Sequence, residues 1–134
     1  MPLRTDRKSV LIVSRNAETA QHLRLYFESR GLLVDVAASL GEEIGASAHM
    51  AFVVFPDELT KSESEQRLLA LVRQKRKTKV IVITADTQRY ADLVTRPGEA
   101  RSKRVIVLPR PAFSWTIFDY VVTPLDEPDN PRGL

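Results

Sequence analysis

Cysteine is absent from the 134 residues, which removes a disulfide framework, a thiolate metal site and a cysteine nucleophile. Histidine is almost absent as well. His22 and His49 stand apart in no metal-binding pattern, so no metal site is expected. Glycine is scarce and forms no phosphate-cradling loop. Neither a nucleophile beside a base nor a pair of catalytic carboxylates can be picked out. An enzyme is therefore the least supported class, and no cofactor is implied. Long apolar runs are missing too: none approaches the roughly 20 residues that cross a bilayer. The segment Met1 to Lys8 is polar and basic, without the apolar stretch of a secretory signal. A cytoplasmic protein that makes no use of a membrane is expected.

What is present is enough for one domain with a real core. The chain is 43% hydrophobic, and its length is short for two ordinary domains. A net charge of +3 permits an acidic partner without requiring one.

The chain is organised around Val80 to Asp86, where four β-branched apolar residues run together and end in a small polar tip. Such a run is too short and too branched for a helix and reads as a strand covered on both faces of a parallel sheet. Similar runs occur at Val10 to Val13, Leu32 to Val36, Phe52 to Phe55 and Val105 to Leu108. Between them lie segments able to form helices. Asn16 can cap a helix over Ala17 to Arg30 that places Thr19, Leu23, Tyr26, Phe27 and Arg30 along one side, with Gly31 as a left-handed stop. Gly41 to Ala48 is a short helical segment interrupted by Gly45. Pro56 ends the third strand, and a polar stretch from Asp57 to Ser64 leads into a helix over about Glu65 to Gln74 with Leu68, Leu69, Leu71 and Val72 on its apolar side. Thr87 to Thr95 and Ser114 to Val122 complete the set.

This alternation fits an α/β fold: an open, flavodoxin-like, doubly wound five-stranded parallel sheet of order 2-1-3-4-5 with helices on both faces. Its ligand crevice lies at the C-terminal ends of strands 1 and 3. Those ends carry Ser14, Arg15, Phe55 and Asp57, with Thr84, Asp86 and Arg110 from the neighbouring strands.

Over about Lys8 to Val122 the chain resembles the receiver domain of bacterial two-component response regulators. The resemblance rests on Val10-Leu-Ile-Val13, the ungapped first helix up to Gly31, Val80-Ile-Val-Ile-Thr84-Ala85 and Arg110-Pro111. It implies a receiver-like domain over residues 1–122 and a Pro-rich tail or linker over 123–134, which contains Pro124, Pro128 and Pro131.

The family's chemistry uses an acidic pair after strand 1 to hold Mg²⁺, an aspartate at the end of strand 3 as phosphoacceptor, a Thr or Ser after strand 4 and a Lys-Pro after strand 5. Set against that pattern, Ser14-Arg15 replaces the acidic pair, Phe55 stands at the acceptor position and Arg110 replaces the lysine. Thr84 and Pro111 are kept. Val107 stands where strand 5 ordinarily carries a signalling aromatic residue. Mg²⁺ seeks several oxygen ligands, which this set does not offer, and Phe55 has no oxygen to phosphorylate. Asp57, two residues further on, is the alternative acceptor should the loop rearrange, and is otherwise a solvated loop residue. Arg15 and Arg110 could pair with Asp57 or Asp86, stay in solvent, or hold a small anion.

The resemblance also implies a partner face or homodimer through strand 5 and the last helix, with Val107, Trp115 and Phe118 as candidates against the plainer reading of helix core. It further implies a downstream effector domain in a longer chain, often a DNA-binding one in this family. Parallel topology gathers Arg4, Arg7 and Lys8, then Arg73, Lys75, Arg76, Lys77 and Lys79, then Arg101, Lys103 and Arg104 at the N-terminal rim of the sheet. That rim reads as solvated or as attracted to phosphates or an acidic partner. Without an aromatic platform or a DNA-reading helix, it argues against direct nucleic-acid binding by this domain. The expected function is a phosphorylation-independent regulatory and interaction domain. A phosphorylatable receiver using Asp57 and a small-anion sensor in the altered crevice are the alternatives.

Overall fold

The structure, a computed structural model, describes residues 9–40, 49–59, 61–74, 78–90 and 105–123, without the side chains of 61–65 and 74. Strands β1 (Ser9–Val13), β2 (Leu33–Ala37), β3 (Ala51–Val54), β4 (Lys79–Thr84) and β5 (Val105–Pro109) form one sheet in the order β2-β1-β3-β4-β5. Every neighbouring pair is parallel. The expected topology is observed, with strand limits shifted by a residue or two.

Alternation along the strands builds two separate cores. On β3, Ala51 and Val53 point to one face with Phe55 just beyond, while Phe52 and Val54 point to the other. On β4, Ile81 and Ile83 join the first face, Val80 and Val82 the second. Because both faces of the inner strands are covered, Ala51 to Val54 and Val80 to Ile83 are all apolar and the period-two polar pattern disappears there, whereas the edge strand β2 exposes Leu33, Asp35 and Val36.

Helices α1 (Ala17–Glu28) and α3 (Ser114–Val122) cover the first face through Ala20, Leu23 and Phe27 and through Ile117 and Val121. Helix α2 (Lys61–Gln74) covers the second through Leu68, Leu71 and Val72. It begins four residues before the expected Glu65. The Asn16 side chain accepts from the Thr19 amide at 3.1 Å and starts α1, as expected of an N-cap. Gly31 follows that helix with φ of +92°, a left-handed conformation that favours glycine.

Two expected helical segments differ or fall outside. Gly41 to Ala48 lies outside the described residues. Of Thr87 to Thr95, the described part is a short 3₁₀ turn, Thr87–Tyr90, started by Asp86, whose carboxylate accepts from the Arg89 amide at 3.3 Å.

Lys79 departs from the basic rim expected of it. Its side chain is 4% exposed and its ammonium donates to the carbonyls of Tyr120 and Thr123 at the end of α3. Those carbonyls are among the last of the helix, which have no partner within it. Burial lowers the Lys79 pKa. Arg73 is exposed at the end of α2, and the other candidate rim residues, Arg4, Arg7, Lys8, Lys75, Arg76, Lys77, Arg101, Lys103 and Arg104, lie outside the described residues.

Candidate functional site

The crevice at the C-terminal strand ends is shaped by one 3₁₀ turn, Pro56–Glu58, directly after β3. Phe55 anchors it: its amide donates to the Val13 carbonyl at 3.0 Å, and its own carbonyl accepts from the Glu58 amide at 3.2 Å. The Phe55 ring is 5% exposed and belongs to the core under α1 and α3. Pro56 opens the turn, where a missing N–H leaves no bond unmade and a fixed φ favours helical curvature. The turn therefore brings both following carboxylates back toward the sheet.

Asp57 is not the solvated loop residue expected from sequence. Its Oδ1 accepts from Thr84 Oγ1 at 2.6 Å and its Oδ2 from the Ala85 amide at 2.8 Å. Arg110 Nη1 stands 3.7 Å from the same Oδ2. Thr84 is fully buried, and its hydroxyl oxygen also accepts from the Asp86 amide at 3.0 Å. A hydrogen bond to an ionised group contributes about 1.5–3 kcal/mol, while a half-exposed ion pair adds at most about 1 kcal/mol. The Thr84 and Ala85 contacts thus dominate. Arg110 is itself placed by its amide, which donates to the Thr84 carbonyl at 3.2 Å; the peptide bond between Arg110 and Pro111 is cis.

Glu58 occupies the other half of the crevice and was not singled out from sequence as a site residue. Its Oε1 accepts from Ser14 Oγ at 2.8 Å, the Arg15 amide at 2.7 Å and the Asn16 amide at 3.2 Å. One carboxylate oxygen thus sits on the Ser14-Arg15 step and the entrance to α1, where negative charge is favoured. Pro-Asp-Glu is a recognisable opening of a helical turn and was the available signal. Arg15 turns aside, donating from Nε to the Ala38 carbonyl at 3.3 Å, so of the two cations only Arg110 meets Asp57.

The candidate partner face divides. Val107 packs into the α2-side core, whereas Phe118 packs on the opposite side against Tyr26 and Phe27, with ring centroids 6.0 and 5.9 Å apart. Trp115 is 57% exposed and stacks on the exposed Phe113 at 4.6 Å and 7° between planes. Val107 and Phe118 thus pack on opposite faces of the sheet.

No protein-family model matches the sequence, and no curated protein matches it. Solved structures do. A response regulator receiver protein from Sinorhizobium medicae WSM419 superposes with a TM-score of 0.69 at 14% identity, covering 87% of this chain and 92% of that one. A CheY-like receiver domain protein from Methanospirillum hungatei JF-1 gives 0.68 at 18% identity over 86% and 90%. A response regulator from Burkholderia pseudomallei, solved with a phosphorylated aspartic acid, calcium ion and citrate, gives 0.67 at 20% identity over 87% and 67%. The fold is the response-regulator receiver fold.

Receiver chemistry calls for a divalent cation, and the residues here do not fit one. Ser14 and Arg15 stand where an acidic pair would, and Glu58 Oε1, the carboxylate oxygen nearest to them, already accepts three hydrogen bonds. Mg²⁺ requires open oxygen ligands in a near-octahedral set. Among the described residues no group of three or more His, Asp or Glu side chains is clustered to supply them, and no described helix is long and apolar enough to cross a membrane.

Proposed function

We propose that this chain is a phosphorylation-independent pseudo-receiver, a regulatory and interaction domain of a bacterial signalling or transcription regulator, working in the cytoplasm and catalysing no reaction. The observation that carries this reading is the state of Asp57: both carboxylate oxygens are engaged, by the Thr84 hydroxyl and the Ala85 amide, with a cation alongside. A bound carboxylate of the chain itself holds the end of β4 without an added phosphoryl group. Phe55 in the core and Glu58 on the Ser14-Arg15 step support the same reading, since one removes an acceptor and the other fills the cation's place. Output then runs through protein contacts: a homodimer or protein partner, and an effector domain in a longer chain.

The test is a titration of the chain with Mg²⁺ and beryllofluoride, followed by amide NMR shifts. The expected result is no shift at Ser14, Asp57, Thr84 or Ala85. Concerted shifts at those amides, abolished by Asp57→Ala, would establish the second reading, a receiver phosphorylated on Asp57. That reading draws on the placement of Asp57 beside Thr84 and Arg110.

A further inference from the structure

The shoulder of α3 nearest α1 carries an apolar stripe. Trp115, Phe118 and Val122 follow one another at spacings of three and four residues, which keeps side chains on one side of a helix, and Phe113 extends the stripe by stacking on Trp115. Phe113, Trp115 and Val122 are exposed, while Phe118 is half-buried against Tyr26 and Phe27. The core under α3 is closed by Ile117 and Val121, so the three exposed residues are not spent on it. Contiguous exposed apolar surface rimmed by charge marks a contact site.

The two borders of the stripe carry opposite charges. On the α1 side, the Arg30 guanidinium lies 3.9 Å from the centroid of the Tyr26 ring and 6.0 Å from that of Phe118. On the outer side stands the exposed Asp119, one step round the helix from Phe118. A cation and an anion at the same level on opposite borders make the surface complementary to itself. A two-fold axis along α3 sets each Arg30 against the Asp119 of the other copy, whereas a two-fold across the helix sets like borders together. The charges therefore select the axis along α3. Under it the two helices run parallel, and three-four spacing is the seam of such a pair.

We propose that this α1–α3 surface pairs with a second copy of the chain, Phe113, Trp115, Phe118 and Val122 forming the seam and two reciprocal Arg30–Asp119 pairs fixing its direction. The proposal deepens the partner reading above by naming the partner and the surface. Strand β5 and Val107 take no part. The pairing brings the two Thr123 residues to the same end of the dimer.

The test is sedimentation of the full chain over a concentration series without Mg²⁺ or beryllofluoride. A reversible monomer–dimer equilibrium is expected. Arg30→Asp and Asp119→Arg should each weaken it by about tenfold, the scale of two rim ion pairs reversed in sign. The double variant R30D/D119R should restore it, which misfolded singles could not do. Trp115→Ala should weaken association by about tenfold or more. A monomer at all concentrations up to about 1 mM, a dimer indifferent to the charge reversals, or a double variant without recovery would overturn the surface. A dimer that forms only with Mg²⁺ and beryllofluoride would overturn the phosphorylation-independent function instead, and the charge swap in that dimer still decides the surface.

Discussion

Thr84 Oγ1 lies 2.6 Å from Asp57 Oδ1, so the hydroxyl at the end of β4 donates its hydrogen bond to a carboxylate of the chain itself. Thr84 is fully buried, and that contact is its route to a charged partner. Thr84→Val keeps the shape and removes both this bond and the one accepted from Asp86. The expected loss is about 1.5–3 kcal/mol in urea unfolding, with Thr84→Ser losing about 1 kcal/mol. A cycle with Asp57→Ala should return a coupling of about 1 kcal/mol or more; additive losses would mean that the two side chains do not act together.

Glu58→Ala strips three donors of their acceptor, one of them the hydroxyl of the buried Ser14. The two backbone amides can turn to water, so the expected destabilisation is about 1–2 kcal/mol. Hydrogen exchange should accelerate in the first turn of α1 before it does so in β4. Unchanged protection there would show that Glu58 does not hold the helix entrance.

Lys79 makes a prediction about alkaline stability. Burial lowers its pKa in the folded chain below the ordinary 10.5, so the folded state releases this proton at lower pH than the unfolded state does. Between the lowered value and 10.5 the unfolded state binds more protons, and the Lys79 contribution to stability rises with pH. The burial penalty is complete below the lowered pKa and gone above 10.5. Lys79→Met should remove that positive slope. Urea midpoints measured across the alkaline range in both proteins, with parallel slopes as the contrary result, decide it.

Trp115 and Phe118 should behave differently despite their nearness in sequence. Phe118→Ala removes packing against Tyr26 and Phe27 and is expected to lose about 2 kcal/mol, below the 3–5 kcal/mol of a fully buried ring. Trp115→Ala removes an exposed ring and should change stability by about 0.5 kcal/mol or less. If Phe113 and Trp115 contact a partner or a second copy, Trp115→Ala will instead weaken association in sedimentation. Equal stability losses in the two variants would contradict the placement of the two rings.

The inner strands were legible because they are covered on both faces: Val80 to Ile83 could satisfy neither an amphipathic helix nor a half-exposed strand, and the winding rules then ordered the sheet. The division between Val107 and Phe118 was also available, since alternation puts Val105 and Val107 on one face and Ile106 and Leu108 on the other. The Asp57 placement was not. A 3₁₀ turn rotates each successive side chain by about a third of a circle, and an extended loop of the same sequence points them elsewhere. Lys79 was hidden for another reason: its partners are carbonyls of Tyr120 and Thr123, contributed by a helix end far along the chain.

Glu58 holds the entrance of α1 with a group bonded to the chain. A metal ion in such a place exchanges with the surroundings, and its occupancy follows its free concentration. A tethered carboxylate has no such reservoir. Under the proposed reading, chelators and swings in cellular magnesium are expected to leave this end of the molecule unaltered, and a change there requires movement of the backbone from Phe55 to Glu58.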